Sequence, residues 1–571
     1  MTSKRRGINR QQITKKDAAK NDFWGIDEQQ RSAHWSLHAL ASVVCIIFAI
    51  WVWLLNPIPQ IHPDQINIVT MILSKQHPDN FARDPIYTGG AADFYPPLWR
   101  GIIGSFIKKF GFIGGHRMLQ LLLSIAYMLV MYGVLYYLTR SVPAALLVTL
   151  ASVPWRWSLG ETYWGLDRLQ AVQPRSFVLI FAPLLFVLFW KLRNSWWLLI
   201  PFFVAGLLFN FHPPSALFFV SLAWLSLFLV SLLKVDKTLP LRDKIIRLIG
   251  AVVAFIAGAS PYVYINMATR GRIAVELSQQ ALQEYIKALQ YLYNIMSYLP
   301  LSGTTLTKVL LFGFSVLILL ATTAWCLRRE KRNAFDNWLV CFFLLAFLAP
   351  VIVQYTMQKI CFHFKIMPLF LDCMRAHKFA YLILYIYVAW LLAELLRRFV
   401  PRERFVLITV IAMIVVIMPP LGNNSRNPWG QWQYNVAQMN TLLRGEKIEI
   451  AGWHNRIVDL CAWVRQNTPK DSLFLFAHRY MSPFRIYALR SLVNSRGGGG
   501  IAYYNGPKTA TTWAKYQLEL EWITARRDVS RLLKLANLSR ADYIIVQNDF
   551  PEVTGWTPVW RDRFWTVYKK P

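Results

Sequence analysis

Two short acidic motifs in the N-terminal part of the chain contain residue types that can do chemistry. The first reads HPDQ at residues 62–65, and the second reads RDP at residues 83–85. An aspartate close to a helix end could take a proton from a hydroxyl group, or bind a divalent cation such as Mg²⁺ or Mn²⁺ through its oxygens. Helix capping is the competing use of an aspartate in such a place. The candidate site residues in these motifs are His62, Asp64, Arg83 and Asp84.

Two later segments are rich in basic residues. Segment 155–175 places arginines among tryptophans, and segment 361–378 ends with the sequence Met-Arg-Ala-His-Lys. Arginine can bind a phosphate through two parallel hydrogen bonds, and lysine attracts it as a point charge. The alternatives are an interfacial aromatic belt with snorkelling arginines, and basic groups attracted to anionic lipids. The candidate phosphate ligands are Arg168, Arg175, Arg375, His377 and Lys378.

Other polar motifs are expected to be structural. His212 stands beside two prolines in a tight corner, and the four arginines between residues 479 and 496 are expected to form a solvated face. The run Gly497–Gly500 lacks the lysine and the serine or threonine of a phosphate loop, so we expect a flexible turn there. The six cysteines show no metal-binding spacing.

The elements that position these residues must be built from a largely apolar chain. Of its 571 residues, 55% are hydrophobic and 16% are charged, whereas soluble proteins carry about 25% charged residues. The mean hydropathy is +0.33. The net charge of +32 would suggest a nucleic-acid partner in a soluble chain, but the aromatic residues lie mainly in or beside the apolar stretches. The composition therefore predicts an integral membrane protein with no nucleic-acid partner.

The apolar stretches predict about eleven transmembrane helices. They lie at residues 35–56, 117–138, 141–153, 177–192, 196–211, 215–233, 245–267, 305–326, 337–357, 377–396 and 404–420. If the short stretch 141–153 also spans the membrane, the dense basic clusters between spans all share the side of the basic N-terminus, as the positive-inside rule requires. The N-terminus is then cytoplasmic and the C-terminus lies outside. Segment 268–304 is expected to be a helix on the outer membrane surface or a soluble connecting helix.

Three regions follow from this path. Residues 1–34 form a cytoplasmic basic segment, residues 35–420 form the transmembrane domain with its first outside loop at 57–116, and residues 421–571 form an extracytoplasmic α/β domain. Within the last region, the pattern predicts a helix at 457–467 and strands at 472–477, 543–547 and 565–569.

The acidic motif after the first helix, the many spans and the α/β tail together resemble the GT-C superfamily of integral-membrane glycosyltransferases. In its protein-mannosyltransferase branch the first-loop motif reads His-x-Asp-Glu, and residues 62–65 are similar, with Gln65 in place of the glutamate. Residues 83–85 and the tail segment 462–490 look like bacterial members of the superfamily.

The resemblance implies transfer of a hexosyl or pentosyl group from a polyprenyl-phosphate carrier to an acceptor on the outer face of the membrane. Asp64 would be the catalytic acidic residue and Asp84 the second acidic element. The first-choice ligands of the lipid phosphate would be Arg375, His377 and Lys378. The second choice would be Arg168 and Arg175. Lipids would surround the protein in a bacterial plasma (inner) membrane, with an endoplasmic reticulum membrane as the alternative. Its protein partners stay unknown.

Two other functions stay open at this point. A transporter or flippase for a lipid-linked or polar solute would place polar groups on broken helices at mid-membrane, whereas the ionisable residues here cluster at helix ends. An inactive assembly partner with the GT-C fold would be consistent with Gln65, because this residue removes one carboxylate from the motif. The same replacement leaves the requirement for a metal open.

Overall fold

The computed structural model describes residues 35–55, 63–87, 95–152, 172–233, 239–270, 278–281, 283–284, 334–364, 373–399, 453–478, 483–505 and 507–571. The predicted spans 305–326 and 404–420, and most of segment 268–304, lie outside these residues.

Ten helices of ten or more residues lie in the described part of the chain before residue 400. They are α1 (Trp35–Leu55), α2 (Pro63–Gln76), α3 (Pro97–Thr139), α4 (Val142–Ala151), α5 (Pro174–Leu192), α6 (Leu199–Phe209), α7 (Pro213–Leu232), α8 (Leu241–Arg270), α9 (Ala334–Phe364) and α10 (Lys378–Phe399). Short 3₁₀ helices lie at Pro78–Phe81, Trp196–Leu198 and Cys373–His377. Among the described residues, six helical segments, in α3, α5, α7, α8, α9 and α10, are long and apolar enough to cross a membrane.

Helix α4 bears directly on the number of spans. It has 10 residues, which makes it about 15 Å long, half the thickness of a bilayer's hydrocarbon core. Because the predicted orientation depends on this segment crossing the membrane, the eleven-span topology stays a prediction.

Aromatic side chains form the centre of the membrane-helix core. Phe186 of α5 stacks on Trp338 of α9 with ring centroids 4.2 Å apart. The indole nitrogen of Trp338 donates a hydrogen bond of 2.8 Å to Ser226 Oγ on α7. A buried indole N–H needs such an acceptor, so this bond allows the large ring to fill the junction of three helices.

Helix α3 bends sharply near the start of its membrane segment. Gly111 has a φ of +72°, which favours glycine. A Cβ atom at Gly115 would lie 2.8 Å from backbone atoms of Phe106 and Ile107. The two arms of α3 are therefore folded closely against each other, and the second arm, Gly114–Thr139, is the segment of membrane-spanning length.

The C-terminal α/β region (residues 453–571) contains a sheet of five strands, β1 (Leu473–Phe476), β2 (Ser491–Leu492), β3 (Tyr543–Gln547), β4 (Thr557–Arg561) and β5 (Trp565–Lys569). Their order in the sheet is β2-β1-β3-β5-β4. β1 pairs in parallel with β2 and β3, whereas β5 pairs antiparallel with β3 and β4. The helices are α11 (Trp453–Asn467), α12 (Phe484–Ala488), α13 (Gly499–Tyr504), α14 (Pro507–Arg526) and α15 (Val529–Ser539).

Both faces of this sheet are covered. Phe474 and Phe476 of β1 pack on one side with α11, and Leu473 and Leu475 pack on the other side with residues of α14 and α15. A strand buried on both faces needs apolar residues at every position rather than at alternate ones. This explains the continuous apolar sequence of the predicted strand 472–477.

The prediction of a flexible turn at Gly497–Gly500 is wrong. Residues 496–498 form a 3₁₀ helix, and Gly499 begins α13. A Cβ atom at Gly498 would lie 2.6 Å from Ile86 Cδ1, and one at Gly499 would lie 2.5 Å from the ring of Trp513. A side chain at Gly499 would overlap the Trp513 ring, so this segment is closely packed, and composition alone does not distinguish close packing from flexibility.

Candidate functional site

The HPDQ motif lies at the start of α2. The helix begins at Pro63, so the backbone of Asp64 lies in its first turn; His62 and the side chain of Asp64 lie outside the described part. Gln65 is 1% exposed, and its Nε2 atom donates a hydrogen bond of 3.2 Å to the carbonyl oxygen of Val172. This contact puts the first-loop motif beside the residues that precede α5.

The start of α5 carries one predicted phosphate ligand and one polar residue that the sequence did not indicate. Arg175 lies half-buried in the first turn of the helix, while Arg168 lies outside the described residues. Gln173 is 1% exposed, and both polar atoms of its side-chain amide are buried with no hydrogen-bond partner. An unmet buried polar group costs about 1–3 kcal/mol, so such an amide is a candidate ligand contact.

Aromatic rings connect this site to the neighbouring helices. Phe177, one turn after Gln173, contacts the ring of Trp99 edge-on at 5.7 Å and stacks on Phe211 at 4.4 Å between centroids. Phe211 immediately precedes the His212 corner. The start of α5 therefore lies between the first arm of α3 and the corner that leads into α7.

The His212 corner has the structural role expected from sequence. Its Nδ1 atom accepts a hydrogen bond of 3.2 Å from the backbone N–H of Ser215 and thereby caps α7. The Oγ atom of Ser215 accepts a hydrogen bond from the Lys378 ammonium group at the start of α10. Two segments that are 163 residues apart in sequence meet here.

Two of the predicted phosphate ligands point into the protein. Lys378 is 2% exposed and His377 is fully buried, and the Nε2 atom of His377 donates to the Phe347 carbonyl oxygen at 2.8 Å. The side chain of Arg375 lies outside the described part. The contacts of His377 and Lys378 hold the segment that carries Arg375 against α9 and α7.

The RDP motif lies on the C-terminal α/β region rather than beside the start of α2. Arg83 is exposed and binds Asp542 Oδ2 at 2.5 Å and the Arg540 carbonyl oxygen at 2.6 Å. Asp84 is fully buried and forms an ion pair with Arg485, whose Nε atom lies 2.6 Å from Asp84 Oδ2.

The prediction of a solvated arginine face is wrong for Arg485 and Arg490. Arg485 is 1% exposed and Arg490 is 2% exposed. Arg490 donates to the backbone carbonyl oxygens of Arg465 and Thr468 at 3.0 and 2.8 Å. Basic residues in a tail are usually solvated, so their burial follows from tertiary contacts that no local pattern records.

A divalent cation needs several oxygen, nitrogen or sulfur ligands held close together. Within the described residues, no group of three His, Cys, Asp or Glu side chains could hold a metal ion. The Asp64 carboxylate, which the sequence suggests as a possible ligand of a divalent cation, is outside that set.

The helices of membrane-spanning length define an integral, multi-pass α-helical membrane protein. Residues 455–497 match a sequence family described as a domain of unknown function, DUF6798. The structure is similar to the crystal structure of ArnT from Cupriavidus metallidurans bound to undecaprenyl phosphate, with 12% sequence identity and a TM-score of 0.42. The similarity covers 93% of this chain and 97% of the ArnT chain. The comparison with curated proteins finds no match.

Proposed function

We propose that the protein is a glycosyltransferase that moves a sugar from a polyprenyl-phosphate donor to an acceptor on the outer face of the membrane. The observation that carries this proposal is the hydrogen bond from Gln65 to the Val172 carbonyl oxygen. It brings the turn that contains Asp64 next to Gln173 and Arg175. An acidic residue can take the proton of the acceptor hydroxyl group, and a cation can stabilise the charge on the departing phosphate. A neutral amide beside them can form hydrogen bonds with sugar hydroxyl groups.

In this reaction the oxygen of the acceptor hydroxyl group attacks the anomeric carbon of the donor sugar, and Asp64 takes the proton of that hydroxyl group. The bond from that carbon to the phosphate oxygen breaks, and negative charge collects on the departing polyprenyl phosphate. Arg175, together with Arg168 and Arg375, stabilises this charge through charge-assisted hydrogen bonds. Gln173, whose amide is unpartnered in the structure, donates to and accepts from sugar hydroxyl groups. His377 and Lys378 hold the Arg375 segment in place.

The proposed orientation follows from the charge pattern. About eleven helices cross a bacterial inner membrane, the N-terminus is cytoplasmic, and the C-terminal α/β region lies on the outer side with the site. Labelling of single cysteines with a membrane-impermeant thiol reagent tests this orientation. A cysteine at Ser3 should react only with reagent on the cytoplasmic side, and a cysteine at Lys570 should react only with reagent on the outer side.

The direct test is a transfer assay with the purified protein in lipid nanodiscs. Radiolabelled polyprenyl-phosphate sugars are offered with a panel of acceptors, and transferred label and released lipid phosphate are measured. Asp64→Asn should lower transfer at least about a hundredfold. Asp79→Asn is the matched control, because Asp79 is an exposed acid in the same loop and should keep wild-type activity.

Two results would contradict the proposal. Movement of a lipid-linked solute across the membrane without covalent change would identify a transporter or flippase. A properly folded protein that transfers no sugar in its native membrane, where its own donors and acceptors are present, would identify an inactive assembly partner. A role for Mg²⁺ or Mn²⁺ is a separate proposal, tested by the loss of transfer in EDTA and its recovery when either ion is restored.

A further inference from the structure

Helix α2, which carries Asp64, is packed between two parts of the molecule. On one side, Ile68 belongs to the apolar core of the membrane helices, and Gln65 is bonded to the segment before α5. The position of the helix therefore depends in part on the membrane helices.

The other side of α2 contacts the C-terminal α/β region. Ile66 and Val69 pack against Ile486 of α12 in a small apolar cluster. Asn67 donates from Nδ2 to the Gly497 carbonyl oxygen at 2.6 Å. The close-packed glycine segment described above thus accepts a hydrogen bond from the catalytic-site helix itself.

The loop after α2 continues this contact. Asn80 donates from Nδ2 to the Leu489 carbonyl oxygen at 3.0 Å, and the Ser491 hydroxyl donates to the Asn80 carbonyl oxygen at 3.2 Å. Asn505 donates from Nδ2 to the Ile86 carbonyl oxygen at 2.6 Å. Side-chain to backbone bonds of this kind fix the register between two segments about 410 residues apart, since each requires one particular carbonyl group.

Asp84 is at the centre of this interface. Its Oδ2 atom accepts from Arg485 Nε at 2.6 Å and from the Leu492 N–H at 3.0 Å. Its Oδ1 atom accepts from Arg485 Nη2 at 3.2 Å and from the N–H groups of Ile86 and Tyr87 at 3.0 and 3.2 Å. A fully buried carboxylate with five donors has no room for the hydroxyl group of a substrate.

Arg485 is satisfied in a complementary way. Besides Asp84, its guanidinium group donates from Nη1 to Ser495 Oγ at 2.7 Å and from Nη2 to the Leu492 carbonyl oxygen at 2.8 Å. A buried ion pair adds little net stability, but removing one partner leaves an uncompensated charge. Any arrangement of the loop that separates the two side chains would therefore leave a buried charge without its partner.

We infer that Asp84 and Arg485 are positioning residues: by joining the loop after α2 to the C-terminal α/β region, they fix the helix that carries Asp64 relative to Arg175. This inference rests on the proposed function for its kinetic consequence. Its mechanical part, the dependence of α2 on the ion pair, is independent of any activity.

The first test is hydrogen exchange of the full-length protein in nanodiscs. Asp84→Asn and Arg485→Lys both remove the bidentate pair, and the second keeps the positive charge in case the first fails to fold. Exchange of peptides from residues 63–76 should rise about tenfold or more in each variant, while peptides from α7 stay unchanged. Asp549→Asn is the matched control, because Asp549 forms an exposed ion pair with Arg527 in the same region.

The second test is the transfer assay. Both variants should lower kcat about 10–100-fold, since a displacement of about 1 Å at a catalytic group has effects of this size. The KM for the lipid donor should stay within about twofold, because the phosphate ligands are not moved. A purely structural role would instead reduce the amount of folded protein at unchanged kcat.

The outcomes are distinct. Unchanged exchange in residues 63–76, or faster exchange with an unchanged kcat, would overturn the inference. If the wild-type protein transfers no sugar at all, the proposed function fails, and the exchange measurement alone decides whether the pair positions α2.

Discussion

The crossing of α6 and α8 offers a sharp prediction about the membrane-helix core. A Cβ atom at Gly258 would lie 2.3 Å from the Phe203 carbonyl oxygen, and one at Gly206 would lie 2.3 Å from the Phe255 carbonyl oxygen. Both contacts are with backbone, which cannot turn aside as a side chain can. Gly258→Ala must therefore push the two helices apart.

The size of the effect follows from the contacts that this movement breaks. Carbon and carbonyl oxygen atoms normally approach to about 3.3–3.6 Å, so the helices must separate by about 1 Å. Asn210, just after α6, donates to the Gly258 carbonyl oxygen and accepts from the Tyr262 N–H, both at 2.9 Å. The side chain of Asn210 thus bonds to the backbone of α8 next to Pro261. Proline has no N–H group, so the backbone hydrogen bonds of the helix are already interrupted there.

Two weakened buried hydrogen bonds and an overpacked contact amount to about 2–4 kcal/mol after allowance for alanine's better helix propensity. We expect Gly258→Ala to lose its monodisperse size-exclusion peak at a clearly lower temperature than the wild type when heated in mild detergent. The matched control is Gly133→Ala in α3, where a Cβ atom would meet nothing within 4 Å, and its thermal stability should be unchanged or slightly higher.

Equal heat resistance of the Gly258→Ala and Gly133→Ala variants would refute this reasoning. A second check uses Asn210→Ala. Asn210→Ala removes the same contact that Gly258→Ala strains. The double variant should therefore lose less stability than the sum of the losses in the two single variants.

Three further predictions concern the rest of the molecule. Asp84→Asn should destabilise the C-terminal α/β region by about 3–5 kcal/mol, because its ion pair with Arg485 is buried. Arg83→Gln should cost less than about 1 kcal/mol, because its ion pair with Asp542 is exposed. Protease resistance of that region in denaturant measures both losses of stability, and equal losses would contradict this difference between the two pairs. Burial raises the pKa of the Cys461 thiol, so in a variant whose other cysteines are replaced, maleimide at neutral pH should react only after unfolding; rapid labelling of the folded protein would show that the thiol is accessible. Ser215→Ala should leave the buried Lys378 ammonium group without this acceptor and lower the thermal midpoint measurably, whereas Ser215→Thr, which keeps a hydroxyl group, should retain most of the stability.

The membrane character of the chain was predictable because it depends on local composition. The first predicted span, 35–56, is the helix Trp35–Leu55, and the strand predicted at residues 543–547 is β3 with the same bounds. Long apolar runs specify helices in lipid and buried strands in a sheet without reference to distant residues.

The site was predictable only in part. The sequence indicated Asp64, Arg175 and Lys378 as candidates from their residue types, and a structural role for His212 from the prolines beside it. It did not indicate a role for Gln173, because a lone glutamine belongs to no recognisable motif. What marks Gln173 is that its side-chain amide is buried without a hydrogen-bond partner, which only the folded structure shows. The meeting of Gln65 with Val172 links two segments 107 residues apart, and no local pattern encodes such a contact.

Asp84 and Arg485 show most clearly what the tertiary structure decided. By itself the sequence determined that the chain is a membrane protein with an α/β tail, since hydrophobic periodicity is a local property. It left Asp84 as an acid that could cap, bind metal or catalyse, and Arg485 as one basic residue among several in the tail. Only the folded chain brings them to within 2.6 Å in a fully buried environment. Burying two charges costs desolvation free energy, and here their mutual attraction and the surrounding donors and acceptors offset that cost. The proposed positioning role follows from this need of each charge for the other.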